Sequence, residues 1–438
     1  MVSRSFRSFL AGVTLAASLL VPLCNAQSGF SAIYGFTGQN GDGAEPNGIL
    51  AIAPNGVLYG ATAGGGSGPC NVNSVPSGCG TVFELKPPAV PGAAWTESVL
   101  YRFAGANGDG WSPYGGVLIG NGGRLYGTTI YGGIGCGTWG CGLVFELTPP
   151  KAAGDVWSEK VVHAFTGENG DGFQPVGSLT LGKNGELYGL TSLGGSSNYG
   201  AVYRLTPPAA AGQTWTESIL YSFAGPSFSA PQGYPADMKL IIDAGGALYG
   251  ATPFGGRFGY GVVFKILPPK SPGGPWTAAD LFSFNESDGA SPSGGVVAGS
   301  TGTLYGSALA GGSGSCSAGC GAIFELTSPA AAGGPWQEAV ICDIGRSCGG
   351  PSVAFPQTNM VRSGNGVLYG TGPSVLFALQ PPLTPGSPWI ASTIYNFNTA
   401  TAGVQPSGLA INEDGVLFGT TMQGGACNYC GAVFRWAP

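Results

Sequence analysis

Charged residues are scarce. Asp, Glu, Lys and Arg make up 9% of the 438 residues, and the balance is acidic, with a formal net charge of −6. Roughly a quarter would be usual in a globular chain. Disorder needs high charge and few aromatics, so this composition excludes it. The acidic balance argues against nucleic acid as a partner. Histidine occurs once, as His163. A Ser-His-Asp triad would have to use it, in a run where other repeats carry Tyr, so His163 reads as structural and that class of hydrolase is disfavoured. No phosphate loop or haem motif is present. After the first 26 residues no apolar run is long enough to span a membrane.

What is abundant is glycine, 82 residues, arranged in repeats. The stretch Val57-Leu58-Tyr59-Gly60-Ala61-Thr62 follows Asn55-Gly56. It returns around Leu125-Tyr126-Gly127, Leu187-Tyr188-Gly189, Leu248-Tyr249-Gly250, Leu304-Tyr305-Gly306, Leu368-Tyr369-Gly370 and Leu417-Phe418-Gly419. A period of roughly 50–70 residues marks a repeat architecture in which each unit buries its apolar face against its neighbours.

The first stretch has Arg4 and Arg7, an apolar run from Phe9 to Leu23, then Cys24-Asn25-Ala26. This predicts a secretory signal over 1–26 and a single domain over 27–438. A lipid anchor on Cys24 is the competing reading, opposed by the bulky Pro22-Leu23. The other ten Cys form close pairs: Cys70/Cys79, Cys136/Cys141, Cys316/Cys320, Cys342/Cys348 and Cys427/Cys430. In an exported chain these read as local disulfides. The Cys427-x-x-Cys430 spacing would suit half a zinc site, but the nearest other Cys lie in different repeats.

Each repeat holds four strand-like runs, in the first Gly48 to Ala53, Val57 to Ala61, Thr81 to Leu85 and Trp95 to Phe103. Asn-Gly and related dipeptides join the first two as tight two-residue hairpins. The seventh repeat lacks the fourth run, while Ala32-Ile33-Tyr34-Gly35-Phe36 precedes the first. Radial repetition leaves only short outer sheet edges. The expectation is therefore an all-β, seven-bladed β-propeller, closed by the N-terminal strand completing the last blade, and monomeric. Its innermost strands are the Gly-rich ones, with Gly48, Gly115, Gly116, Gly177, Gly294, Gly295 and Gly408 allowing close backbone approach. Trp95, Trp157, Trp215, Trp276, Trp336 and Trp389 read as packing wedges at the outermost strands.

The run Leu125 to Gly133 with Leu143 to Leu147, and the run Trp215 to Phe223, carry a Leu-Tyr-Gly-x-Thr segment, a Gly-Gly loop, a Gly-x-Val-Phe strand and a Trp-x-Glu strand ending in Tyr-x-Phe. This pattern resembles the GloVer-type repeat of the choice-of-anchor tandem repeat proteins, over about residues 30 to 438. The resemblance implies an exported or surface-attached bacterial protein, without implying an activity. The sorting anchor of many members is missing, which favours a periplasmic or released protein over one fixed at the cell surface.

Chemistry is sought on the face shared by the loops between blades and the loops between second and third strands. Asn40-Gly41-Asp42-Gly43, Asn107-Gly108-Asp109-Gly110, Asn169-Gly170-Asp171-Gly172 and a variant ending in Asp288 occupy the former. As turns they need no ligand. As oxygen donors Asp42, Asp109 and Asp171 would suit calcium, the one cofactor these loops could take, though each copy supplies few ligands. Aromatics on the same face, Trp111, Trp139 and Phe173 foremost, beside Asn and Asp suit carbohydrate or another surface polymer. Glu84, Glu146 and Glu325, and Glu97, Glu159, Glu217 and Glu338, recur with the strands and read as architectural. Asp237 and Lys239 break the repeat in an inner strand, either as a buried ion pair or as site residues. The leading expectation is a noncatalytic ligand-binding propeller. The alternatives are a carbohydrate-active hydrolase or lyase using carboxylates near the channel mouth, and a protein-interaction scaffold.

Overall fold

A computed structural model describes residues 29–70, 78–152, 154–210, 212–225, 239–300, 302–312, 319–331, 333–344, 355–384, 386–398 and 402–438. The signal over 1–26, Asp237, Cys316 and Cys348 lie outside them. Among the described residues there are strands and two short 3-10 turns, and no α-helix. No helix there is long and apolar enough to cross a membrane.

The strands form a β-propeller arrangement of five four-stranded sheets and one eight-stranded sheet. In the eight-stranded sheet, Gly43–Ile52, Leu58–Gly65, Thr81–Lys86 and Thr96–Arg102 form one meander, and Gly110–Ile119, Leu125–Gly132, Leu143–Thr148 and Ser158–Ala164 form the next. The two meanders touch through one parallel pair, Ile49 with Gly116. The third repeat begins a separate sheet with Gly172–Leu181 and ends it with Thr216–Ser222.

The N-terminal strand Phe30–Gly35 is the edge strand of the sheet containing Val404–Ile411, Leu417–Gln423 and Ala432–Trp436. It runs antiparallel to Ala432–Trp436, with Phe30 opposite Trp436 and Gly35 opposite Ala432. The ends of the chain therefore meet in one sheet, and other contacts close the same joint. Glu45 donates its backbone N–H to the Cys430 carbonyl (3.1 Å). A Cβ on Gly431 would lie 2.4 Å from Pro46 Cδ.

That backbone bond has equivalents elsewhere: Ser112 to Cys79, Gln174 to Cys141, Ser291 to Tyr260 and Phe355 to Cys320. Each donor has a positive φ, between 54° and 62°, which turns the start of the inner strand onto the preceding repeat. Neighbouring repeats also lock through aromatic rings. Phe36 meets Phe83 at 4.9 Å, Phe103 meets Phe145 at 5.1 Å, Phe165 meets Tyr203 at 5.0 Å and Phe284 meets Phe324 at 5.0 Å, all edge-on. Outside these, Trp157 packs on Tyr59, Trp215 on Tyr126 and Trp389 on Tyr305. The wedge role read for the Trp residues is the one they occupy.

The hairpin corners differ from the two-residue turns expected. Ala53 donates to the Val57 carbonyl and Gly56 to the Ala53 carbonyl, which makes a three-residue loop of Pro54-Asn55-Gly56. Only Gly56 takes a positive φ (80°). The Asn55 side chain instead accepts from Val57 N–H (3.2 Å). This is a type I turn followed by a left-handed glycine, a common three-residue hairpin.

Candidate functional site

The glycines of the inner strands bring the backbones together at the axis. A Cβ on Gly48 would lie 2.1 Å from the Gly115 carbonyl carbon, one on Gly115 2.2 Å from the Gly177 oxygen, and one on Gly408 2.4 Å from the Gly48 oxygen. Beside these glycines an axial cavity of about 400 Å³ remains, with Gly48, Gly115 and Gly177 in its wall. Its lining includes Asn47, Tyr114, Lys239, Gln357, Asn359 and Gln405. Asn359 is committed to the neighbouring repeat, donating to the Leu409 carbonyl (3.1 Å) and accepting from Leu409 N–H (3.3 Å). Asn47 is 5% exposed, and its side-chain nitrogen has no hydrogen-bond partner. Burial pushes the Lys239 ammonium below its ordinary pKa. No carboxylate is among the described lining residues.

The Asn-Gly-Asp-Gly loops lie elsewhere, at the joints between outer strands. Asp42 accepts from Thr37 N–H and Oγ1 (2.7 Å each) through one oxygen and from Gly43 N–H (2.7 Å) through the other. Asp171 repeats the pattern with Thr166 and Gly172. Asp109 accepts from Ala104 N–H, the Tyr101 hydroxyl and Gly110 N–H. Asp288 accepts from Asn285 N–H. Asn40, Asn107 and Asn169 hold positive φ at the exposed loop tips. These carboxylates thus organise their own loops.

Each joint also contains a half-buried glutamic acid from the next outer strand. Burial pushes Glu97, Glu159 and Glu338 up to about 7, and Asp42, Asp109 and Asp288 respectively add to the shift by like charge. One carboxyl oxygen of each is buried without a hydrogen-bond partner. A half-protonated acid beside an ionised one is the arrangement that burial and like charge favour. Sequence reading identified these Glu as repeating with the strand, but not their partners, which lie about 50 residues earlier in the loop that leads into the same repeat.

The second repeat gathers four of the residues singled out in sequence. Trp111, directly after Asn107 to Gly110, stacks on Trp139 with ring centres 5.4 Å apart and planes 14° from parallel. Tyr131 lies 4.9 Å from Trp111 and 5.7 Å from Trp139. Trp111 Nε1 donates to the Trp139 carbonyl (3.2 Å). Trp111 is buried, whereas Trp139 is 54% exposed. The Cys136–Cys141 disulfide closes the loop that carries Trp139. Cys136 Sγ lies 3.6 Å from the Thr166 carbonyl, near half-buried Phe173 on the next inner strand. Tyr199, Phe254, Tyr260 and Tyr429 are also exposed, in equivalent loops. Cys70–Cys79 and Cys427–Cys430 are bonded as paired in sequence, and Cys320 and Cys342 are also disulfide-bonded.

A family model described as the Gloeobacter/Verrucomicrobia repeat matches residues 12–233 and 137–375. No curated protein matches the chain. Among solved structures, the extracellular domain of the hybrid two-component system BT3049 from B. thetaiotaomicron is similar at TM-score 0.51 and 10% identity, over 93% of this chain and 41% of that one. The corresponding domain of BT4673 from B. thetaiotaomicron gives TM-score 0.50 and 10% identity, over 94% and 40%. The chain therefore spans well under half the length of those two. A sialidase from Trypanosoma rangeli aligns at TM-score 0.40 and 13% identity, over 93% and 59%. At these identities the likeness concerns the fold alone.

Proposed function

The chain belongs to the Gloeobacter/Verrucomicrobia repeat family, and from that premise we propose that it is an exported, noncatalytic propeller that binds carbohydrate through its loop face. In this reading the eight-stranded sheet counts as two blades, because its halves share a single paired residue on each side. Seven repeats then give seven blades, the last completed by Phe30–Gly35. Local disulfides support export, since such bonds persist in oxidising compartments.

The observation that carries the binding role is Trp139, exposed yet fixed by stacking on Trp111 and by its disulfide-closed loop. A flat apolar ring held in water complements the apolar face of a sugar. Rigidity matters because ordering a free side chain would subtract from affinity. A glycan array, run with and without calcium, tests this. Binding to a defined glycan without product release is expected, falling at least about tenfold, about 1.4 kcal/mol, in Trp139→Ala. Silence across the array, or undiminished binding by the variant, would remove the reading.

One observation favours a lyase or hydrolase instead. Lys239 is a half-buried amine with no ion pair among the described residues, on an axial cavity that also holds the unpartnered Asn47 amide. Such a site would suit an acidic sugar. Cleavage of a uronate-containing glycan that Lys239→Ala abolishes would establish this second reading.

A further inference from the structure

We propose that His163, Asp171 and Glu217 form a divalent-cation site of zinc type between the second and third repeats. His163 comes from the outer strand Ser158–Ala164, Asp171 from the loop that follows, and Glu217 from the outer strand Thr216–Ser222 of the next sheet. His163 Nε2 is 3.7 Å from Asp171 Oδ1 and 3.7 Å from Glu217 Oε1. All three donor atoms lie within 4.8 Å of one another. The two 3.7 Å separations from the imidazole are too long for direct hydrogen bonds. They are close to the roughly 3.4 Å that separates ligand atoms on one tetrahedral zinc with bonds near 2.1 Å.

Two of the three donor atoms, His163 Nε2 and Glu217 Oε1, are buried and make no hydrogen bond. The orphaned glutamate oxygen recurs on Glu97, Glu159 and Glu338, so the unpartnered imidazole nitrogen is what is particular to this joint. Asp171 Oδ1 accepts from Gly172 N–H, which fixes it, and a carboxylate oxygen has a second lone pair. The ring of His163 is held edge-on by Phe165 at 4.7 Å. A neutral imidazole with two carboxylates balances a dipositive ion, and three protein ligands leave a fourth position for water.

Comparison among repeats separates this joint from its equivalents. The register of His163, opposite Val144, holds Tyr34, Tyr101, Tyr221, Phe282, the disulfide-bonded Cys342 and Tyr395 in other repeats. None of those side chains is a nitrogen ligand. A second departure falls at the same joint. Tyr203, which packs on Phe165, replaces the Phe found as Phe83, Phe145, Phe264, Phe324, Phe377 and Phe434, and its fully buried hydroxyl has no hydrogen-bond partner. The Tyr203 hydroxyl lies over Gly189 on the second strand of its own sheet, so both polar substitutions fall between the second and third repeats.

The test uses the full chain without a histidine tag, so that every imidazole signal belongs to His163. Zinc chloride is titrated calorimetrically, and bound metal is counted after dialysis. One equivalent per chain is expected, with a rise in melting temperature that EDTA reverses. Cobalt should give the intense visible bands of a tetrahedral site. His163→Tyr restores the side chain used at the other joints, so it should fold, and it should lose the stoichiometric metal and the cobalt bands. Glu217→Gln keeps the side-chain volume and should weaken binding at least about tenfold, as loss of even an outer-shell partner does. Absence of binding by the parent chain, or equal stoichiometry in both variants, would overturn the site. Neither outcome bears on glycan recognition at Trp139, which is read separately.

Discussion

Gly48, at φ 80°, and Gly92, at φ 86°, share a backbone conformation that side chains avoid, but their surroundings differ. Nothing lies within 4 Å of a Cβ built on Gly92, whereas one on Gly48 meets the backbone of Gly115, and one on Gly115 meets that of Gly177. Gly92→Ala should therefore cost only the conformational strain, about 1–2 kcal/mol. Gly115→Ala adds a collision with backbone that cannot move without parting two inner strands, and should cost about 3 kcal/mol or more. Denaturant midpoints measure both, and equal losses would remove the packing explanation for the axial glycines. The crowded glycines were legible in the sequence because they recur in the strand after each interblade loop. The positive φ of Glu45, Ser112 and Gln174 was not, since three different side chains occupy one conformation that is set by the neighbouring repeat's carbonyl.

At the level of the strand, the outermost Trp-x-Glu segments make stability depend on pH in an unusual direction. Glu97, Glu159 and Glu338 titrate near 7 when folded, chiefly through burial, and Asp280 is pushed up to about 6 by burial. Unfolded, such groups titrate near 4. Between those values the folded chain binds more protons, so stability falls as pH rises from about 4.5 through 7. Asp243 acts in the opposite sense. Burial opposes its ionisation, but bonds from Ala247 N–H, the Tyr249 hydroxyl and Gly245 N–H hold it below the usual carboxylate range, and its contribution is lost in stronger acid. The melting temperature should therefore peak near pH 4–5 and decline toward pH 7.5. A Glu97→Gln, Glu159→Gln, Glu338→Gln variant should flatten the decline, and a flat profile in the parent chain would contradict the joint chemistry. The four-strand meander itself was readable from alternation and turn residues. The carboxyl joints were not, because the Asp leads into the first strand and the Glu lies on the last, about 50 residues on, and only the fold brings them together.

For the molecule as a whole, closure rests on Phe30–Gly35 pairing with Ala432–Trp436, and on Trp95 packing against Phe418 across the same joint. The displaced strand announced this in the sequence, since the first copy of the outer run has no repeat of its own to join. Excision of residues 29–36, with the flanking chain rejoined, would leave Ala432–Trp436 as an unpaired edge. Such an edge recruits other strands. The excised chain should melt at lower temperature and self-associate, which light scattering coupled to size exclusion would detect. An unchanged monomer with the same melting curve would show that the ring is held without that strand.

Phe30 and Trp436 are more than 400 positions apart, yet they face each other. At about 5–20 residues per second, the ribosome needs on the order of tens of seconds to supply the second after the first. Through that interval the segment has backbone groups and an aromatic side chain with no destination. A circular permutant that places it directly after Trp436 would abolish the delay, and its yield relative to the natural order would measure how much the cell spends guarding a strand that arrives early.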